Sequence, residues 1–279
     1  MSAKLAKVTQ SYPSIATLKP TLTKFVQSRL YSSSKSTIFV IHMENLVIIP
    51  TYNEKENIAN IIDAVFSLEQ RFDILIVDDG SPDGTADIVK GLQEKFPGYL
   101  HLEQRTGKLG LGTAYIHGFR WALKRDYQYI FEMDADFSHN PKDLPRLLEA
   151  CSEDGVGMSV GSRYCKGGKV ENWPFFRWAM SYFASLYVRL VLWISVKDTT
   201  AGFKCYDRKV LEKLDLNDIW FIGYAFQIEM KYSTLRSGFK VVEVPITFKD
   251  RELGVSKMNM SIFKEAFSGV LKLRKKKFK

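Results

Sequence analysis

From Asn45 onward, apolar and polar positions follow two alternating rhythms. Short apolar runs at Leu46–Ile49, Ile74–Val77, Leu100–Glu103, Tyr129–Met133 and Val156–Val160 have the length and character of strands covered on both faces. Between them lie stretches with helical spacing. Ile58, Ile61, Ile62, Val65 and Phe66 form one stripe, and Ile88, Val89 and Leu92 form another in a helix starting near Asp83. A glycine-bearing loop, Thr106–Gly112, leads into a helix reaching about Lys124, and Pro141 opens a further one. This alternation predicts an α/β fold, with a Rossmann-like, mostly parallel sheet and helices on both faces. Later the order changes. Trp173–Ile194 reads as a long apolar helix, Phe239–Phe248 as a strand and Asn259–Leu273 as a terminal helix.

The long helix has a polar stripe. Arg177, Ser181, Ser185 and Arg189 recur every four residues, and at ~100° per residue three such steps drift by only about 120°. At ~1.5 Å per residue the segment reaches about 33 Å, enough to cross a bilayer. Two arginines inside it make crossing costly. Helix 173–195 is therefore expected to lie in the membrane plane, or to pack on the domain with its apolar face toward lipid. A core helix of a soluble domain is the alternative.

Charge is unevenly placed on this +9 chain. Residues 1–43 hold no Asp or Glu and are expected to be a disordered leader or a non-native extension ahead of Met43. Residues 44–265 are expected to form the catalytic domain, and 266–279 a basic tail. Without the leader's basic residues and the six between Lys272 and Lys279, the body carries −3. That excludes a general nucleic-acid coat. The tail fits an anionic membrane surface or a solvated terminus. Cys151, Cys165 and Cys205 lack metal-ligand spacing and suggest a reducing compartment.

Three strands end in polar clusters, where an open α/β sheet presents side chains to a ligand. The first is Pro50-Thr51-Tyr52-Asn53-Glu54; an aromatic followed by a carboxylate can cover a base and accept its N–H groups. The second, Asp78 to Thr85, starts with adjacent carboxylates that repel unless a cation or a donor-rich ligand stands between them. The third is Asp134-Ala135-Asp136. Two such carboxylates suit a hard divalent cation that also binds substrate phosphates. Taken singly, the clusters also read as a capped turn, a helix cap and a polar turn before Pro141. Arg163 follows another strand, and Arg251 and Lys257 flank a loop around Gly254. Arginine forks match phosphate oxygens, although each could be a surface cation. No Gly-x-Gly-x-x-Gly follows the first strand, which argues against a dinucleotide-binding dehydrogenase.

Pro50–Glu54, Asp78–Thr85, Lys108–Ala114, Asp134–Asp136 and Gly161–Tyr164 resemble the inverting, GT-A-fold glycosyltransferases of family 2. Gly167–Pro174 with Arg177, and Val242–Ile246 with Phe248, Arg251, Gly254, Ser256 and Lys257, resemble more narrowly the dolichol-phosphate mannose synthases and their bacterial polyprenol-phosphate counterparts. The resemblance implies transfer of mannose from GDP-mannose to dolichyl or polyprenyl phosphate at a membrane surface, by a cytoplasmic, peripherally associated enzyme. It implies that Pro50, Tyr52, Glu54 and Asp79 bind the nucleoside with Lys108 and Gly110 nearby. Asp134 and Asp136 would hold Mg²⁺ or Mn²⁺, and Arg251 and Lys257 would clamp the diphosphate. Arg163, Arg177 and Ser181 would bind the lipid phosphate. Ser138 departs from members with glutamine two residues after the second aspartate, so water would complete the coordination. A UDP-glucose donor is the nearest alternative. A nonenzymatic membrane-binding module is another, but it leaves the carboxylate clusters without purpose.

Overall fold

The computed structural model describes residues 45–250 and 269–276. The leader and the loop holding Arg251 and Lys257 lie outside the described residues, as does most of the expected terminal helix; of that helix, 269–273 is described and helical.

Five strands fall on the predicted runs: β1 (Asn45–Thr51), β2 (Asp73–Asp78), β3 (Leu100–Gln104), β4 (Tyr129–Glu132) and β5 (Val156–Ser162). The helices between them are α1 (Ile58–Phe66), α2 (Thr85–Lys95), α3 (Leu111–Leu123) and α4 (Leu144–Cys151), the last preceded by a 3₁₀ turn that Pro141 opens. Beyond β5 come β6 (Lys169–Glu171), α5 (Phe175–Leu192), β7 (Lys204–Asp207), α6 (Arg208–Lys213), α7 (Ala225–Arg236), β8 (Lys240–Pro245) and β9 (Thr247–Lys249).

The main sheet runs β3-β2-β1-β4-β7-β5-β8. Its strands pair in parallel except at β7, which is antiparallel to both β4 and β5. Two reversals restore direction, so the carboxyl ends of β1, β2, β4, β5 and β8 reach one edge. β6 and β9 pair in a separate small sheet.

The period of two along each strand sorts the core. Leu46, Ile48, Leu75, Val77 and Ile130 face α3 and α7. Val47, Ile49, Ile74, Ile76 and Phe131 face α1, α2 and α4. On α3, Gly118 permits close approach, because a Cβ there would stand 2.8 Å from Ile48.

The expected single strand Phe239–Phe248 is divided in two: β8 joins the main sheet and β9 the small one. The long helix is shorter than expected, with Pro174 at its start and Trp193 left-handed (φ 55°) at its end. Eighteen residues at ~1.5 Å give about 27 Å, and no described helix is long and apolar enough to cross a membrane. Ser185, Val188 and Leu192 are buried. Val188 and Leu192 pack with Ile228 and Tyr232 of α7 and with Val270 and Leu273. Phe175, Phe176, Phe183 and Leu190 face solvent on the other side.

Candidate active site

β1, β2 and β4 are neighbours, so their terminal clusters converge as expected. Thr51 stands in register with Asp78 and donates its hydroxyl to that carboxylate (2.9 Å). Ser81 donates its amide (2.9 Å) and its hydroxyl (2.6 Å) to the same group. Asp79 accepts from Arg105 Nε at 2.7 Å. The expected repulsion between Asp78 and Asp79 is therefore offset by the protein's own donors, and Arg105, which follows β3, is a residue the sequence reading missed. The backbone after β1 is fixed by the same turn: the Asn53 amide donates to Ser81 Oγ and the Glu54 amide to Thr85 Oγ1, each at 3.0 Å. Asn53 is left-handed here (φ 56°). Pro50, next to last in β1, stands in register with Val77, and Glu54 Oε2 accepts from Asn57 (3.1 Å).

Lys108 lies over the Tyr52 ring, 5.2 Å from its centroid, so these two expected nucleoside residues meet. Gly110 serves backbone packing. At φ 102°, a Cβ there would stand 2.8 Å from the Ile222 carbonyl oxygen, which also accepts from the Gly112 amide (2.8 Å). The Trp220 and Phe221 amides donate to buried Glu229 of α7. Lys276 closes the chain of contacts with an ion pair to Glu229 at 2.7 Å and a hydrogen bond to the Asp218 carbonyl. At this position, then, the basic tail is a buried clamp behind the glycine loop rather than a solvated end.

Asp134 and Asp136 follow β4 directly, and the Met133 amide still bonds to Ile48 (3.2 Å). Asp136 is buried and accepts from the Ser138 amide (3.0 Å), while Phe137 between them is left-handed (φ 60°). His139, given no role by sequence reasoning, is buried under the pair. Its Nδ1 accepts the Asp134 amide (3.1 Å), and its ring stacks on Phe203. Burial lowers its pKa to about 4, so it is a neutral ring that fixes backbone and not a base. The buried Tyr115 hydroxyl stands beside Asp134, and burial followed by that charge raises its pKa well above the ordinary value. Behind the pair, Glu132 accepts from Tyr206 (2.5 Å) and ion-pairs with Lys204 (3.0 Å), all three buried.

The arginines come from the other half of the edge. Arg163 follows β5 and is held in a fork by buried Asp198, its Nε and one terminal nitrogen each donating at 2.7 Å. Burial alone would lower the Arg163 pKa, but the Asp198 carboxylate overcomes this and raises it. Arg177 donates to Asp250 at 2.5 Å. Arg163 and Arg177 share one aromatic plate: they stand 5.5 and 4.3 Å from the Trp173 ring, and Arg163 also 5.4 Å from Phe248. Phe248 contacts His139 edge-on at 5.7 Å. Arg163, Arg177 and the aspartate pair are thus linked through Trp173, Phe248 and His139. Ser181 stands beside Tyr164, which packs on Tyr182. A charge inside an apolar run, Glu132 between Phe131 and Met133, was a sequence signal that demanded an unseen counter-charge.

A parallel-sheet edge with carboxylates on one half and arginines on the other has the donor set to hold a cation-bound diphosphate beside a second anionic group. The chain belongs to glycosyl transferase family 2, which residues 46–215 match. It is 49% identical over 221 residues to polyprenol monophosphomannose synthase of Mycolicibacterium smegmatis, covering 79% of this chain and 83% of that one. To undecaprenyl-phosphate mannosyltransferase of Micrococcus luteus it is 46% identical over 228 residues, covering 82% and 93%. Its fold is similar to that of the mannosyltransferase PcManGT of Pyrobaculum calidifontis, solved with GDP-Man and Mn²⁺. That likeness has TM-score 0.55 at 18% identity and covers 84% of this chain and 64% of the other, so this chain spans just under two thirds of that protein's length.

Proposed function

We propose that this chain transfers mannose from GDP-mannose to the phosphate of a polyprenyl or dolichyl lipid, with inversion at the sugar. The observation that carries this reading is the meeting of Arg163 and Arg177 on Trp173, at the same edge as Asp134 and Asp136. The relatives' names point the same way.

The acceptor phosphate is already an anion, so no general base is needed. That fits a site whose one buried histidine is kept neutral. Tyr52, Glu54, Asp79 and Lys108 would hold the nucleoside. Arg163 and Arg177 would aim the nucleophile, each already oriented by a carboxylate, so alignment and fixed charge supply the catalysis. Asp134 and Asp136 fit Mg²⁺ or Mn²⁺ chemically. They are hard oxygen donors, and no group of three or more potential ligands occurs among the described residues, which suits a cation shared with substrate phosphates. Such an ion would neutralise charge on the departing diphosphate. Arg251 and Lys257, outside the described residues, would add to that clamp. The exposed face of α5 would lie against the bilayer that carries the acceptor, in keeping with a peripheral enzyme.

Two assays test this. Radiolabelled GDP-mannose and UDP-glucose are each offered with polyprenyl phosphate; label entering lipid from UDP-glucose alone would replace the donor. Thermal unfolding with GDP or UDP, with and without Mn²⁺, reports which nucleotide the folded chain binds.

A further inference from the structure

We propose that the cavity bounded by Tyr164, Tyr182, Leu186, Arg189 and Lys197 is a second anion subsite, which takes a lipid-borne phosphate. Its Tyr164 wall adjoins the ledge formed by Arg163 and Arg177, with the Arg163 guanidinium 5.1 Å from the Tyr164 ring, and its own cations, Arg189 and Lys197, lie beyond that wall. Its relation to transfer rests on the reading above; the binding itself does not.

Four observations carry it. The cavity, about 170 Å³, far exceeds the roughly 10–15 Å³ that one water needs and has room for a phosphate group. Its two cations lack counter-ions: Arg163 and Arg177 are each paired with an aspartate, whereas Arg189 and Lys197 have no carboxylate within ion-pair distance among the described residues. Polar atoms around it are buried and unsatisfied. Arg189 Nε on its wall has no hydrogen-bond partner among the described residues, nor does Ser185 Oγ, on an almost fully buried residue of the same helix. Burying such groups is unfavourable unless something completes their bonding. The fourth is position. Arg189 lies twelve residues beyond Arg177 on α5, about 18 Å at ~1.5 Å per residue, so one phosphate cannot touch both. Exposed Phe183 and Leu190 on the same helix would lie in apolar lipid while the phosphate sits in the cavity.

The ligand chemistry is a phosphate on an apolar chain, with two sources: the acceptor lipid itself, held before or after transfer, or an anionic phospholipid of the surrounding bilayer. The test uses the full chain and its double variant Arg189→Gln/Lys197→Gln. Both are sedimented with phosphatidylcholine vesicles that are undoped, doped with phosphatidylglycerol, or doped with polyprenyl phosphate. We expect the variant to lose about tenfold in partitioning to doped vesicles and nothing on neutral ones. Loss with phosphatidylglycerol assigns the site to bulk headgroups; loss confined to polyprenyl phosphate assigns it to the acceptor. Unchanged binding of the double variant to both doped vesicles would overturn the proposal. So would an equal loss from the exposed control Lys166→Gln/Lys169→Gln, because diffuse charge would then suffice. No turnover is needed, so an enzyme inert toward GDP-mannose leaves this result standing, and the reverse holds too.

Discussion

The two halves of the sheet edge are built by different means. On the half proposed to bind the donor, Asp78 and Asp79 are buried carboxylates whose donors come from adjacent strand ends, and Tyr52 meets Lys108 of the loop before α3. Strand register and the turns that follow the strands assemble it. On the acceptor half, cations rest on an aromatic plate and their partners come from far along the chain: Asp198 for Arg163, Asp250 for Arg177. A rigid half suits a nucleotide bound the same way each cycle. The other half opens beside a helix face of exposed Phe175, Phe176 and Phe183, which suits an acceptor that arrives from a membrane. The contrast teaches that donor and acceptor binding should be separable by mutation.

The largest effect should come from the donor half. Asp136→Asn keeps shape and removes charge, and we expect it to lower kcat/KM by about a thousandfold or more while leaving the unfolding temperature near normal. Near-normal turnover would show that the pair is not where diphosphate charge is met. On the other half, Arg177→Gln should raise the apparent KM for polyprenyl phosphate about tenfold to a hundredfold, with KM for the nucleotide sugar unchanged. If both KM values rise together, the halves are one cooperative unit and the comparison fails.

That contrast also decided what the sequence disclosed. β1 to β5, their helices and the convergence of Pro50–Glu54, Asp78–Thr85 and Asp134–Asp136 were readable, because buried parallel strands and their ends leave local patterns. β7 was not: Lys-Cys-Tyr-Asp has no strand signature, and its Lys204 is buried only because Glu132 waits on β4. α7 was missed for a related reason. Its residues from Ala225 to Thr234 are buried all round, including Gln227, Glu229 and Lys231, so no amphipathic period exists to find. Lys231 spends its ammonium on the Thr199 and Ala201 carbonyls (3.1 and 2.6 Å), a need visible only in three dimensions. The place of Lys276 was not legible either, because a run of lysines reads as solvated and this one is buried.

Lys276 offers a smaller effect that sharpens the comparison. It pairs with Glu229, whose carboxylate holds the Trp220 and Phe221 amides, and the next carbonyl, of Ile222, receives the glycine loop before α3. Lys276→Met should leave Glu229 short of its cation and cost about 2 kcal/mol, seen in denaturant unfolding. If the clamp serves the donor half, KM for the nucleotide sugar should rise and acceptor KM should not, and Lys276→Arg should restore it. A stability loss without that split would confine Lys276 to holding the helix down.

The smallest effect is remote from both halves and shows whether they depend on the rest of the sheet. Asp73 begins β2, accepts from the Tyr127 hydroxyl (2.6 Å), and keeps its other oxygen buried without a partner among the described residues. Burial raises its pKa from 3.8 to about 6, against the lowering effect of that hydrogen bond. Between those values the folded state binds more protons than the unfolded one, so this contribution to stability is complete below about pH 4 and is lost as pH rises through about 6. Asp73→Asn cannot ionise, so its unfolding temperature should exceed that of the wild type by a few degrees at neutral pH and converge with it in acid. Both KM values should stay as they were, since Asp73 lies at the opposite end of β2 from the proposed site at Asp78 and Asp79. A gap that widens in acid would reverse the sign argued here and mean that the ionised carboxylate, not the protonated one, is what the fold at Tyr127 prefers.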